Sequence, residues 1–379
     1  MNIQQIAFEE NSWSKISEKG EVDTKKIQLV LAFGERKCLE AVKPYEYLRS
    51  IYTNAEIVIS STAGEIYHDK VYSNTIIVTA IEFDKVSIKT TQLSIENHLQ
   101  SSKVGLALAQ NLIADDLTSL FILLDGSRVN GSDLISALNE ETNNTIPISG
   151  GLAGDEARFE RTLVGLNQNP EPGQIVGIGF YGENLKVGHG TMGGWEGFGP
   201  EREVTKSEFN ILYRIGDKAA LDIYKEYLGK YANELPGAAL LFPLSMRVDE
   251  NDQPVVRTIL SIDEENKSMT FAGDIPQGSF VRFMKANLDR IIDASATAAL
   301  GSIEVLGKSP ELAILVSCVG RKLVLGERTE EEVEAARDIF GDQTIITGFY
   351  SYGEISTHKK NNRCELHNQT MTITTFSEL

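Results

Sequence analysis

Four short loops place an acid directly after a glycine: Gly64–Glu65 in SSTAGEI, Gly154–Asp155 in SGGLAGDE, Gly273–Asp274 in SMTFAGD and Gly353–Glu354 in GFYSYGEI. Glycine lets the backbone approach a ligand closely, and a flanking hydroxyl offers a neutral hydrogen bond. The acid can receive an amine or guanidinium, or it can cap the N–H groups of its own turn. Candidate ligand-binding residues are therefore Ser61, Thr62, Gly64 and Glu65 in the first loop and Gly151, Gly154 and Asp155 in the second. Gly273 and Asp274 represent the third loop, and Tyr350, Tyr352, Gly353 and Glu354 the last, where two phenol rings would build an amphipathic wall. Arg321, just past the apolar ILVSCVG, could take a carboxylate. Asn368, in CELHNQT before the last apolar strand, completes the set.

Catalytic signatures are missing. SGGLAGD has the wrong glycine spacing for a dinucleotide fingerprint, no GK[ST] phosphate loop occurs, and FAGDIPQG lacks the calcium-ligand ladder of an EF-hand. Without a nucleophile-elbow motif, a hydrolytic alternative would use Cys318 or a cleft serine, with Arg321 lowering the thiol pKa. Among the histidines, His367 is the metal candidate, since it follows the last Gly-acid loop and precedes an apolar strand. Its one clustered companion is Cys364, which is too few for zinc, but a single imidazole can hold haem iron. His68 is its chief competitor and His189, in VGHGT, could reach a cleft, whereas His98 and His358 sit in polar, solvated stretches.

The elements that would position these loops recur along the chain. IQLVLAFG, then CLEAVKPYEYLRSIY, then AEIVIS leads into the first loop. SLFILLDG, SDLISALNEE and TIPIS lead into the second, and ELAILVSCVG, TEEEVEAARDIF and QTIITG into the last. Each reads as strand, helix, strand, Gly-acid loop, with continuous apolar runs suited to buried strands and a helix suited to a parallel crossover. A further strand follows each loop. SMTFAGDIPQGSF reads as a fourth, partial copy, and NLDRIIDASATAALGSIEVL as a long amphipathic helix.

This pattern predicts an α/β protein of two related domains with mixed sheets and helices, built on repeated strand–helix–strand units. Residues 1–25 read as an N-terminal extension, 26–225 as the N-terminal domain and 226–379 as the C-terminal domain. The loops are expected to line one cleft between them, beyond the strand ends where α/β sheets place ligands. The composition, 41% hydrophobic and 24% charged, is that of a soluble globular chain, and three scattered cysteines suit a reducing compartment. The N-terminus has no basic segment followed by an apolar run, so a cytoplasmic location is expected. A net charge of −18 spread along the chain argues against nucleic-acid and membrane partners.

SSTAGEI, SGGLAGD, GGWEGFGP, LLFPL, FAGDIPQG, SCVGR, GFYSYGEI and LHNQT occur in the order found in the FIST family, "F-box and intracellular signal transduction" domains with N- and C-terminal parts. The chain resembles this family over almost its whole length. The resemblance implies a cytoplasmic sensor that binds a small molecule such as an amino acid or related metabolite and passes its output to a separate protein. It also extends to stand-alone haem proteins of the family that sense nitric oxide and act with histidine kinases or cyclic-di-GMP enzymes, and the sequence is compatible with haem-bearing and haem-free members alike.

Overall fold

A computed structural model describes residues 1–235, 237–249, 254–357 and 363–379, so His358 lies outside the described residues. The protein is mixed α/β, built on the repeated strand–helix–strand unit, with three six-stranded sheets and one eight-stranded sheet among the described residues.

Each six-stranded sheet is centred on one unit. In the first, Leu29–Glu35 runs parallel to Glu56–Thr62 and antiparallel to Ile76–Glu82. In the second, Leu117–Leu124 runs parallel to Ile148–Leu152 and antiparallel to Gln174–Tyr181. In the third, Leu312–Cys318 runs parallel to Ile345–Ser351 and antiparallel to Met371–Glu378. Beyond its Gly-acid loop, each unit gives a strand to a different sheet. Glu65–Tyr67 of the first unit pairs with Ile345–Ser351 of the third. Gly353–Thr357 of the third pairs with Ile148–Leu152 of the second, and Val164–Leu166, after the second loop, pairs with Glu56–Thr62 of the first. Three exchanges close a ring with threefold pseudosymmetry.

Strand alternation explains why the runs are apolar throughout. Leu29, Leu31 and Phe33 point into a core shared with Phe121, Leu123, Val316, Phe349 and Phe376 from the other two sheets. Val30 and Ala32 point the other way, beneath helices that carry Leu39 and Leu48. Phe33 and Phe349 meet across the ring with centroids 4.7 Å apart, and burying each such ring is worth about 1.5–3 kcal/mol. Both faces of each strand are therefore covered.

Two expectations are corrected. The single helix expected over CLEAVKPYEYLRSIY is two, Arg36–Val42 and Tyr45–Ile51, because Lys43 turns left-handed (φ 49°) before Pro44. Proline has no N–H to continue the ladder and clashes with the preceding turn. The fourth copy is not a parallel unit: Ser268–Phe271 pairs antiparallel with both of its neighbours. It belongs to the eight-stranded sheet, which contains Glu196–Glu208, Ile211–Ile215 and Phe280–Lys285 and is inserted between the second and third units. Trp195 pins the start of this insertion to the ring by donating its indole N–H to Gln369 O at 2.8 Å.

Candidate functional site

The three ring loops meet. Ala63 N donates to Tyr350 O and Tyr350 N to Gly64 O, both at 2.8 Å, joining the first loop to the third. Gly154 N donates to Ser61 O at 3.0 Å, and Tyr352 N to Leu152 O at 3.1 Å, which closes the triangle. Glycine is required at the junction, since a Cβ at Gly154 would lie 2.7 Å from Ala63 N. The structure thus brings together Ser61, Thr62, Gly64, Glu65, Gly151, Gly154, Asp155, Tyr350, Gly353 and Glu354, all buried, with Tyr352 partly exposed at their edge.

Their polar groups are consumed internally. Glu65 accepts from Thr62 Oγ1 at 2.5 Å and Thr75 Oγ1 at 2.7 Å. Glu354 occupies the same position in the third loop, bonded to Ser351 Oγ at 2.8 Å, Thr370 Oγ1 at 2.9 Å and Thr370 N at 3.1 Å. Burial pushes both carboxyls up to about 8, against the pull of these hydroxyl contacts, so both carry a proton at neutral pH. Asp155 differs. Burial opposes its charge too, but Arg36 Nε at 2.8 Å and Arg158 Nε at 2.8 Å outweigh it and hold the carboxyl below its ordinary range.

Tyr352 stacks on Phe159 at 4.6 Å, receives a hydrogen bond from Phe159 N and donates to Glu156 O at 3.2 Å, so it fastens the loop after the second hinge. Arg321 is fully buried and satisfied by Glu332 (2.6 and 2.9 Å), Gly193 O and Ile291 O. Asn368, also fully buried, lies in the loop beside Thr370, and neither end of its amide has a partner. Burial pushes the Cys318 thiol well above its ordinary value, which leaves no thiolate at neutral pH and makes it unfit as a nucleophile.

Gly273 and Asp274 lie elsewhere, where the inserted sheet faces the helix Gly131–Thr142 and the strand Cys364–His367 of the ring. A cavity of about 250 Å³ opens there, lined among others by Ser132, Asp133, Arg257, Asp274, Arg363 and Glu365. Asp274 also borders a second cavity of about 480 Å³ with His98, Asn130, Glu208 and Phe209. Arg257 is the unusual group. It is 6% exposed, yet it bonds only backbone carbonyls: Leu366 O at 2.9 Å, Asp274 O at 3.1 Å and Val256 O at 3.3 Å. Burial lowers its pKa to about 10, partly countered by the charges of Glu365 and Asp274, and it remains a cation at neutral pH. The Asp274 carboxylate, for its part, receives only the Asn130 amide, at 3.3 Å to each oxygen. Asp133, on the same wall, is raised by burial and then by the charge of Asp274.

A buried guanidinium without a carboxylate costs several kcal/mol in an interior. Here it stands beside a carboxylate that has no cation, and the two share a cavity. That arrangement can receive an anion and a cation at once, as a zwitterion carries them. Sequence reasoning reached Asp274 through its Gly-acid loop but missed Arg257. The available signal was one cation between apolar neighbours in VVRTIL, which alternation alone assigns to a strand face.

The surroundings of His367 do not fit a haem. Its strand is paired with Gly353–Thr357 and the residue is 3% exposed, which leaves no open face for a macrocycle. His68 is exposed and bonded to Asp69 at 2.7 Å. Among the described residues, no group of three or more His, Cys, Asp or Glu could hold a metal ion, and no helix is long and apolar enough to cross a membrane.

Comparison with known proteins places these features. Residues 28–218 match the FIST N domain and residues 220–357 the FIST C domain. The first span holds the first two ring units, and the second holds the greater part of the inserted sheet and most of the third unit. Uncharacterized protein MJ1623 of Methanocaldococcus jannaschii is 24% identical over 237 residues, which is 55% of this chain and 42% of that protein. The chain thus spans less than half the length of this relative. A crystal structure of cyanuric acid hydrolase from A. caulinodans aligns over 94% of this chain and 91% of its own, with a TM-score of 0.38 and 8% identity. A likeness that slight carries no activity across.

Proposed function

Since the chain belongs to the FIST family, whose domains are associated with signal transduction and small-ligand sensing, we propose that it senses an amino-acid-like zwitterion in the cleft between the inserted sheet and the ring. In this reading Arg257 takes the α-carboxylate, and Asp274, with Asp133 beside it, takes the ammonium group. The observation that supports it is the Arg257 guanidinium, buried without a carboxylate partner in a cavity that Asp274, whose carboxylate is bonded only to the Asn130 amide, also lines. A charge-assisted hydrogen bond is worth about 1.5–3 kcal/mol, so filling both positions supplies binding energy that neither group obtains in the free protein.

Ligand bound there touches both the ring helix Gly131–Thr142 and the inserted sheet, so it favours whichever relative placement closes the cavity. Such a shift is what a separate signalling enzyme, a histidine kinase or a cyclic-di-GMP enzyme, would read. Haem and nitric oxide form no part of this reading, because the site is built for a charged, hydrogen-bonding solute.

A thermal-shift screen of the common amino acids tests the proposal. The melting temperature should rise with ligand concentration for a subset of free amino acids, and N-acetylation or esterification of those ligands should abolish the rise. Equal shifts with the blocked compounds, or no shift with any amino acid, would refute it.

A further inference from the structure

A third cavity lies at the edge of the third sheet. The strand Leu185–Met192 forms the edge of that sheet, pairing along its length with Met371–Glu378. It runs close beneath the helix Leu288–Ile303: a Cβ at Gly190 would stand 1.9 Å from Ala298 O. Between the two glycines that allow this approach, His189 turns toward a cavity of about 300 Å³, lined by Pro147, Val187, Gly301, Glu304, Val305 and Thr357 among others. Both ring nitrogens of His189 are buried, and neither has a hydrogen-bond partner. Leaving two buried imidazole nitrogens unmet is unfavourable, and a ligand that bonds one of them removes part of that cost. Burial also holds the ring neutral, lowering its pKa to about 4, so it presents one donor and one acceptor rather than a charge.

We propose that this cavity is a binding site for a small, uncharged, mainly apolar molecule bearing one hydroxyl or N–H group, of the phenol class, with His189 as its hydrogen-bonding residue. Valine, proline and glycine surfaces supply apolar contact for a ring. The neutral imidazole either accepts the ligand's proton or donates to its oxygen. An anion is disfavoured by the protein's net charge of −18, and among the described residues the lining holds no cation. A cation would face a neutral imidazole and largely apolar walls. The volume lies at the lower end of the roughly 300–1,000 Å³ typical of ligand pockets, which suits a single ring. The site shares no residue with the Arg257 cleft and stands independently of the sensor reading.

The test titrates the full chain, with its histidines labelled with nitrogen-15, with phenol, benzoate and benzylammonium in parallel. Phenol is expected to bind saturably, to move the His189 ring nitrogens, and to bind more tightly than either charged compound. Replacing His189→Phe should weaken phenol binding roughly tenfold, the size of one lost hydrogen bond, and His189→Gln, which keeps a donor and an acceptor, should restore part of it. The ring signals of the wild type decide the matter even if a variant folds poorly. Non-saturable binding, unmoved His189 nitrogens, or tighter binding of benzoate or benzylammonium would overturn the proposal.

Discussion

Two equivalent buried acids make the stability of the ring depend on pH in a defined direction. Glu65 and Glu354 are held at about 8 instead of the ordinary 4.5, chiefly by burial. Below the ordinary value both the folded and the unfolded chain carry these protons, and folding is under no penalty. As pH rises past it, the unfolded chain ionises while the folded chain keeps its protons, so stability falls until the folded carboxyls also ionise near pH 8. Within that window each acid costs about 1.4 kcal/mol per pH unit. From about pH 6.5 to 7.5 the pair should therefore cost close to about 2.7 kcal/mol together. His189, lowered from 6.5 to about 4, acts only below this range, where falling pH removes stability. Replacing Glu65→Gln and Glu354→Gln together keeps the size and a donor facing Thr62 and Ser351, and removes both titrations. Urea unfolding at three pH values across the window should show the wild type losing this stability and the double variant losing almost none of it. Parallel pH profiles for the two proteins would refute the protonated-acid account.

Gly154→Ala places a methyl against the Ala63 backbone, and an overpacking cost of about 1–3 kcal/mol should appear as a lower urea midpoint. An unchanged midpoint would mean that the loop triangle can spread. Buried Cys318 and Cys364 should resist a thiol reagent at neutral pH until the protein unfolds, while half-buried Cys38 reacts slowly; a Cys318 that reacts fast in the native protein would revive the nucleophile reading. Haem mixed with wild type and His367→Ala should give indistinguishable Soret spectra, and a band lost specifically in the variant would show that the imidazole can reach iron.

The repeated unit was legible because a strand buried on both faces has to be apolar throughout. Leu29 to Phe33, Leu120 to Leu124 and Leu312 to Val316 announce themselves, and each loop's glycine marks where the chain leaves its strand. Closure of the ring was not legible. The short strand Glu65–Tyr67 has no local feature that selects Ile345–Ser351 as its partner; that pairing is decided by the shared core around Phe33 and Phe349. The acids of the loops looked alike in sequence, but their neighbours separate them. Burial leaves Glu65 protonated against the pull of Thr62 and Thr75, Arg36 and Arg158 keep Asp155 charged, and only Asp274 faces a cavity shared with an unmatched cation. Arg36 reaches Asp155 from 119 residues away, and burial depends on the whole ring, so neither could be read from local periodicity. Pro44 is the opposite case: its effect on the helix is local and could have been read directly.

The central claim is that Arg257 receives the carboxylate of a zwitterionic ligand. Its most direct test is a calorimetric titration of wild type and Arg257→Gln with an amino acid found to raise the melting temperature, and with the α-carboxamide of the same compound. The account predicts that the wild type prefers the free acid by at least roughly tenfold, the value of one charge-assisted hydrogen bond, and that Arg257→Gln binds the acid and the amide about equally. An undiminished preference for the free acid in Arg257→Gln would contradict it.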